Sequence, residues 1–218
     1  MARIELWNGD ICDLEVDAIV SPAATSLWMS TGVAGEIKRT GGDAIEYAAV
    51  RQAPVELGDA IVTPAGRLAA RVVIHAVSLE RDRRTTGPAI HRAARSAMAR
   101  ARELGLASIA FPALGTGVGG FPLDEAARIA VNAVRDELAE PSSIEHVIFA
   151  LRGAAAYEAF ARALSEVEPT PSRSLVEPRP RQAGRPGEPV TATSQATVHA
   201  ASLSAGVARE PAAREDGA

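Results

Sequence analysis

The sequence predicts an α/β protein whose central sheet is covered by helices on both faces. Short segments rich in β-branched residues alternate with helical segments along the first 167 residues. Hydrophobic residues make up 47% of the chain and aromatic residues only 4%, so we expect a core of Ala, Val, Ile and Leu. Strands buried on both faces in this way form a parallel or mixed sheet.

Strands and helices are predicted from the period of the apolar residues. The strands cover residues 4–7, 17–20, 59–63, 72–77, 108–111 and 146–151. The helices cover residues 35–40, 43–53, 88–104, 123–137 and 154–166. In the fourth helix, for example, Ala126, Ile129, Ala130 and Val134 recur at helical spacing. Ligands of such folds bind beyond the carboxyl ends of strands, so the loops after the strands are expected to carry the site.

Residues 168–218 differ in composition and are predicted to be a disordered tail behind a domain of residues 1–167. Seven of the 14 prolines lie between Pro169 and Pro211, and no Phe, Tyr or Trp occurs there. Such a segment cannot bury enough apolar surface to offset its ordering entropy. Its charges nearly balance, so it is not a polybasic arm, although it could contain a short motif for an unknown protein partner.

Charge and cysteine content exclude several classes of protein. A formal net charge of −4 provides no bulk field for general nucleic-acid binding. The single cysteine, Cys12, excludes an intramolecular disulfide and indicates a reducing compartment. No apolar run approaches the roughly 18 residues of a membrane span, and the N-terminus does not resemble a signal peptide. We therefore expect a cytoplasmic protein without a membrane partner, metal or cofactor.

The first candidate site segment follows the first predicted strand. The strand stops at Gly9 and presents the carboxylate of Asp10 just before Ile11. A carboxylate in this position can accept a hydrogen bond from an exocyclic amine such as that of adenine. Gly-Asp is also a common turn, so a purely structural Asp10 is the alternative.

The second segment, residues 21–34, leads from a strand into a helix. Its Thr31-Gly32-Val33 step directly precedes the predicted helix, so backbone N–H groups there can point at an anion. An ordinary helix start capped by Ser30 or Thr31 is equally compatible with the sequence.

The third segment, residues 111–122, is rich in glycine. Gly115, Gly117, Gly119 and Gly120 fall within six positions between a strand and a helix. Because glycine is costly to order, this density indicates positive φ angles or close approach of the backbone to a ligand, such as a phosphate. The spacing matches neither the Rossmann fingerprint nor a P-loop, and a plain flexible loop is the alternative.

Together these segments resemble the macro domain family. The resemblance rests on the order and spacing of residues 9–11, 17–20, 32–37, 58–65, 73–77 and 109–120, and it extends over about residues 3–165. It implies a three-layer α/β/α fold with a central mixed sheet, and a cleft for ADP-ribose, either free or attached to a macromolecule.

The resemblance also implies roles for individual residues. The Asp10 carboxylate would bind the adenine amino group, with the Ile11 backbone beside the ring. Gly32 and Val33 would donate backbone N–H groups toward the diphosphate or the distal ribose. The remaining expected ligand-binding residues are Ser21 and Thr31 in the second segment, the diphosphate wall Gly115, Thr116, Gly117, Val118 and Gly119, and Phe121 beside the distal ribose.

Two departures from the family pattern bear on catalysis. Hydrolytic members carry Asn-Ala-Ala-Asn where this chain has Ser21-Pro22-Ala23-Ala24, so Ala24 replaces the catalytic Asn. A methyl group cannot orient a water or the ribose. In addition, Ser30-Thr31-Gly32 replaces a triple glycine. The sequence therefore favours an ADP-ribose-binding protein with weak or no hydrolysis.

Two other functions remain open. One is an ADP-ribosyl hydrolase or O-acetyl-ADP-ribose deacetylase, and the other is a scaffold that no longer binds the ligand. No catalytic residue is identified. Cys12 is expected to be a small buried hydrophobe and His75 a core histidine, while His91 is expected on a solvated helix face. His146 and His199 complete the four histidines, and their spacing suggests no metal site.

Overall fold

A computed structural model describes residues 2–82 and 84–166 of the chain. The six strands are β1 (Arg3–Asn8), β2 (Ala18–Ala24), β3 (Ala60–Pro64), β4 (Val72–Leu79), β5 (Ser108–Phe111) and β6 (His146–Leu151). The helices are α1 (Gly32–Gly41), α2 (Asp43–Val50), α3 (Gly87–Glu103), α4 (Leu123–Leu138) and α5 (Ala154–Ser165), with a 3-10 helix at Ile11–Asp13. The tail expected at residues 168–218 lies outside the described residues.

The strands form one mixed sheet in the order β1-β6-β5-β2-β4-β3. All neighbouring strands are parallel except β3, which runs antiparallel to β4. Asp17, just before β2, fixes the amino ends of the central strands. Its carboxylate accepts backbone hydrogen bonds from Ala107 at 2.9 Å and Ser108 at 3.0 Å, and a third bond from Arg71 at 3.3 Å. The mixed sheet predicted from the sequence is confirmed.

Helices cover both faces of the sheet, which confirms the three-layer prediction. Successive residues of β2 point to opposite faces: Val20 packs in the cluster that contains α3, α4 and α5, and Ile19 packs in the cluster that contains α1 and α2. Phe149 stacks at tilted angles against Phe111 and Phe160, with ring centroids 5.9 and 4.9 Å apart. Elsewhere the core is largely Ala, Val, Ile and Leu, as the composition predicts.

Two element boundaries differ from the sequence prediction in ways that matter for the site. The strand predicted to end at Val20 continues to Ala24, because β2 pairs with β4 along this whole length. Its pairing with β5 covers only Ala18 and Ile19, so Pro22 lies where one edge of the strand is open and a missing N–H is tolerated. Helix α1 begins at Gly32 rather than at residue 35.

A third boundary reflects local chemistry. Helix α2 ends at Val50 rather than at Ala53, since Pro54 disfavours helical backbone in the residue before it.

None of the helices among the described residues is long and apolar enough to cross a membrane.

Candidate functional site

A cleft of about 270 Å³ lies at the carboxyl ends of the central strands. This volume is close to the lower end of ligand pockets, roughly 300 to 1,000 Å³. One wall contains the residues between β2 and α1, and the other contains the glycine loop between β5 and α4. The strand order separates the two ends of the cleft. At one end lie Asp10, which follows β1, and Arg152, which follows β6. At the other end lie Ala24 of β2 and Leu79 of β4.

The structure brings most of the expected ligand-binding residues into this cleft. It places in the lining Asp10, Ile11, Thr31, Gly32, Val33, Gly115, Thr116, Gly117, Val118 and Gly119. Ser21 and Phe121 are not in the lining. Ser21 is fully buried within β2, opposite His75 of β4, and Phe121 packs against the core near Gly87 at the start of α3.

Asp10 is held ionised and in a fixed orientation. It is the N-cap of the 3-10 helix, and one carboxylate oxygen accepts from the Cys12 backbone N–H at 3.0 Å. The other oxygen accepts from the Arg152 guanidinium. Burial raises the pKa of Asp10, but the Cys12 hydrogen bond and the Arg152 charge outweigh burial, so the pKa lies below its ordinary value. Asp10 is therefore an acceptor at neutral pH.

Arg152 and Glu36 join Asp10 at this end of the cleft, and the sequence analysis did not identify either. Arg152 also lies 4.0 Å from a carboxylate oxygen of Glu36, which itself pairs with Arg39 on the same helix. One signal for Arg152 was present: it is the first residue after a strand, at the carboxyl end where ligands of this fold class bind.

The amino end of α1 also lines the cleft and carries backbone donors. Thr31 is the N-cap with extended backbone, and its side chain makes no capping hydrogen bond. The first N–H groups of an α-helix have no partner within the helix. The N–H groups of Gly32, Val33 and Ala34 therefore lack partners within the helix, an arrangement that can bind an anion, and Thr31 does not form the ordinary side-chain cap considered as an alternative.

The fold requires glycine at some positions of the glycine loop and not at others. Gly115 has a φ of +78°, which favours glycine, and a side chain at Gly119 would come within 2.6 Å of the Gly115 carbonyl oxygen. Gly117 differs from both, since its φ is not positive and no atom would lie within 4 Å of an added Cβ. The fold therefore does not require glycine at position 117, whereas the open space beside it belongs to the cleft.

Ionisable side chains are confined to one end of the cleft. Of the described residues that line it, only Asp10, Glu36 and Arg152 carry ionisable side chains. The end formed by β2 and β4 presents Ala24 and Leu79, with Trp28 59% exposed beside them. Trp28 was not identified from the sequence. This end can contact a ligand, but its described residues supply no carboxylate, imidazole or amine for proton transfer.

Cys12 and His75 have their ordinary reactivity suppressed. Burial and the neighbouring Asp10 charge raise the pKa of the Cys12 thiol to about 12. Burial lowers the pKa of His75 to about 4, and one ring nitrogen lies 2.9 Å from the Thr63 hydroxyl. Neither residue lines the cleft. Within residues 2–82 and 84–166 there is no group of three or more His, Cys, Asp or Glu that could hold a metal ion.

Comparison with protein families and curated proteins gives consistent matches. The family model for the Macro domain matches residues 20–130. A macro domain-containing protein of Caldanaerobacter subterraneus subsp. tengcongensis is 40% identical over 172 residues, covering 76% of this chain and 98% of that protein. An uncharacterised protein of Mycobacterium tuberculosis is 43% identical over 173 residues, covering 79% of this chain and 48% of that protein. The chain thus spans about half the length of the mycobacterial relatives it matches.

Solved structures of macrodomains also match this chain. The Trypanosoma brucei macrodomain in complex with ADP-ribose is 30% identical with a TM-score of 0.69, covering 74% of this chain and 68% of that chain. The Oceanobacillus iheyensis macrodomain with ADP is 27% identical with a TM-score of 0.68, covering 74% of this chain and 89% of that chain. The sheet and helices described above are therefore similar to those of these two macrodomains.

Proposed function

This chain belongs to the macro domain family, and on that premise we propose that its cleft binds ADP-ribose, free or attached to a macromolecule, with weak or no hydrolysis. The adenine amino group donates to Asp10, and the diphosphate lies between the amino end of α1 and the glycine loop. The complex of the Trypanosoma brucei macrodomain with ADP-ribose supports the choice of ligand. The ionised state of Asp10 supports its role as the acceptor.

One observation carries the distinction between binding and turnover. The cleft keeps donors for an anion at Gly32 and Val33, but at the end formed by β2 and β4 it presents the methyl group of Ala24. Loss of a positioned catalytic group costs orders of magnitude in rate, while the binding energy supplied by remote parts of a ligand is retained. A recognition protein for ADP-ribose is the function that fits both facts.

Calorimetric titration with ADP-ribose, ADP and AMP tests the binding proposal. We expect Asp10→Ala to weaken the binding of all three ligands roughly tenfold, because each loses a hydrogen bond to a charged acceptor. Asp13→Ala is the matched control, since Asp13 is an exposed carboxylate of the same 3-10 helix and does not line the cleft. Failure of the unmodified protein to bind ADP-ribose at high micromolar concentration would refute the proposal.

The alternative is an ADP-ribosyl hydrolase or O-acetyl-ADP-ribose deacetylase. Ser30 and Thr31 line the cleft, and the Thr31 hydroxyl is not used in helix capping, so these hydroxyls are available to orient a water. Time-resolved release of ADP-ribose from a modified protein or nucleic acid, and of acetate from O-acetyl-ADP-ribose, discriminates the two functions. Turnover that disappears in a Ser30→Ala, Thr31→Ala double variant would favour the enzyme.

The proposed location is the cytoplasm. Its support is chemical, because Cys12 is a free thiol, and free thiols persist in reducing compartments.

A further inference from the structure

A carboxylate and a guanidinium meet at the end of the cleft that the proposed function assigns to the adenine base. Asp10 and Arg152 follow neighbouring strands, since Asn8 of β1 pairs with Leu151 of β6. The Arg152 guanidinium donates to one carboxylate oxygen of Asp10, and both residues line the cleft. The base end therefore presents an acceptor and a donor side by side.

The two groups have opposite hydrogen-bonding roles. A carboxylate only accepts, and a guanidinium only donates. A 6-aminopurine offers an amino donor next to a ring-nitrogen acceptor, whereas a 6-oxopurine offers a carbonyl acceptor next to a ring N–H donor. A carboxylate alone suits the first arrangement and repels the carbonyl of the second. A carboxylate with an adjacent arginine satisfies both, and arginine is a common partner of the O6 atom of guanine.

We propose that Arg152 is a specificity-determining residue that allows this cleft to bind 6-oxopurine nucleoside diphosphates, such as IDP and GDP, in addition to adenine nucleotides. In the 6-oxopurine complex Arg152 donates to the base carbonyl and Asp10 accepts from the ring N–H. The inference rests on the proposed function, which places the base beside Asp10.

The surroundings of Arg152 leave it able to change partners. Its side chain is 60% exposed, so water solvates the guanidinium as it turns from Asp10 toward a base. The Asp10 carboxylate, 22% exposed, keeps its hydrogen bond from the Cys12 N–H and gains one from the base. A carboxylate oxygen of Glu36 lies 4.0 Å from the guanidinium, so Arg152 retains an anionic neighbour when it leaves Asp10. Glu36 is itself paired with Arg39 on the same helix.

A comparison of ADP with IDP isolates the effect, because the two ligands differ only at the purine 6-position and the adjacent ring nitrogen. Calorimetry is performed on the full chain and on Arg152→Ala. We expect the full chain to bind IDP within about tenfold of ADP. We expect Arg152→Ala to weaken IDP binding roughly tenfold or more and ADP binding less than about threefold, since only the oxo base loses its donor.

Arg162→Ala is the matched control. Arg162 is similarly exposed and also pairs with an aspartate, Asp124, but it lies outside the cleft. It should leave the affinities of both ligands unchanged, and thermal melting verifies that both variants are folded.

The outcomes separate this inference from the proposed function. If the full chain binds ADP but binds IDP more than about a hundredfold more weakly, the inference is wrong and the proposed function stands. Equal losses for ADP and IDP in Arg152→Ala, or no loss for either, also overturn the inference. If neither ADP nor ADP-ribose binds the full chain, the proposed function itself has failed.

Discussion

The carboxylate of Glu46 accepts a hydrogen bond from the Met29 backbone N–H at 2.7 Å. Glu46 belongs to α2 and is only 4% exposed, and its second oxygen accepts from the Lys38 ammonium of α1 at 2.5 Å. Met29 lies between Trp28 and Ser30, both of which line the cleft. A residue outside the cleft thus fixes the backbone of one of its walls.

Removal of this carboxylate should destabilise the fold. Glu46→Ala leaves the Met29 N–H and the Lys38 ammonium without their acceptor, and we expect a loss of about 3 kcal/mol in the free energy of unfolding. Urea denaturation at pH 7 measures the loss. Glu103→Ala is the control, because Glu103 forms an exposed ion pair with Arg100, and its removal should cost less than about 0.5 kcal/mol. Equal stability of the two variants would show that Glu46 has no such role.

Gly117 should separate ligand binding from stability. Because its Cβ position is open and its φ is not positive, Gly117→Glu should retain the thermal midpoint of the unmodified protein. The new carboxylate should nevertheless weaken ADP-ribose binding by at least about tenfold, through steric overlap and repulsion of the diphosphate.

Gly115→Ala should instead lower the stability of the fold. Its φ of +78° and the Ile90 side chain 2.6 Å from the added carbon predict a destabilisation of about 1 to 2 kcal/mol. Melting curves and calorimetry on both variants measure the two effects. A Gly117→Glu variant that binds ADP-ribose normally would place the diphosphate elsewhere.

Trp28 should report ligand binding through its fluorescence. Of the two tryptophans, Trp28 lines the cleft and is 59% exposed, whereas Trp7 is 43% exposed and outside the lining. A ligand that shields the Trp28 indole from water should change its emission, and titration with ADP-ribose measures the change. Trp28→Phe should abolish the response and Trp7→Phe should preserve it. A response that depends on Trp7 and not on Trp28 would mean that the ligand does not cover the cleft wall that carries Trp28.

Buried His75 predicts a specific pH dependence of stability. Its pKa in the fold is about 4, below the ordinary value of 6.5, so the unfolded chain takes up the proton more readily. The stabilisation is therefore complete above pH 6.5 and is lost as the pH falls from 6.5 to 4, by roughly 3 kcal/mol in total. The lowered pKa values of Asp10 and Asp17 act below this window, since their stabilisation is lost only under their ordinary value of 3.8.

His75→Gln supplies the comparison for this pH dependence. Glutamine retains a hydrogen bond to the Thr63 hydroxyl but does not titrate. Urea midpoints between pH 7 and pH 4.5 should fall less in this variant than in the unmodified protein. If the urea midpoints of both proteins fell equally with pH, groups other than His75 would be responsible for the acid sensitivity.

Local sequence signals account for most of the fold. The alternation of strands and helices, the Ala-rich core and the glycine loop all depend on neighbouring residues, and each is read from a short window. The helix periodicity around Ala130 and the β-branched strand around Val73 are examples, and both segments are present as predicted.

The features that were missed depend on tertiary contacts. Asp10 and Arg152 are separated by 142 residues and meet because β1 and β6 are neighbours in the sheet, an order that no local pattern specifies. The extension of β2 to Ala24 likewise depends on its pairing with Leu79 of β4. Trp28 was overlooked because its position on the cleft wall is set by that strand end and by Glu46.

The confinement of ionisable side chains to the base end of the cleft determines how ligand affinity depends on ionic strength. Two carboxylates and one guanidinium line the cleft, and the dianionic diphosphate of the proposed ligand is held by neutral backbone N–H groups. Proteins that hold phosphates with lysine and arginine lose affinity as salt screens the attraction. Here the two carboxylates are paired with Arg152 and Arg39, so the charged groups at this end nearly cancel and leave little net charge for salt to screen. ADP-ribose should therefore bind about as tightly in concentrated salt as in dilute buffer.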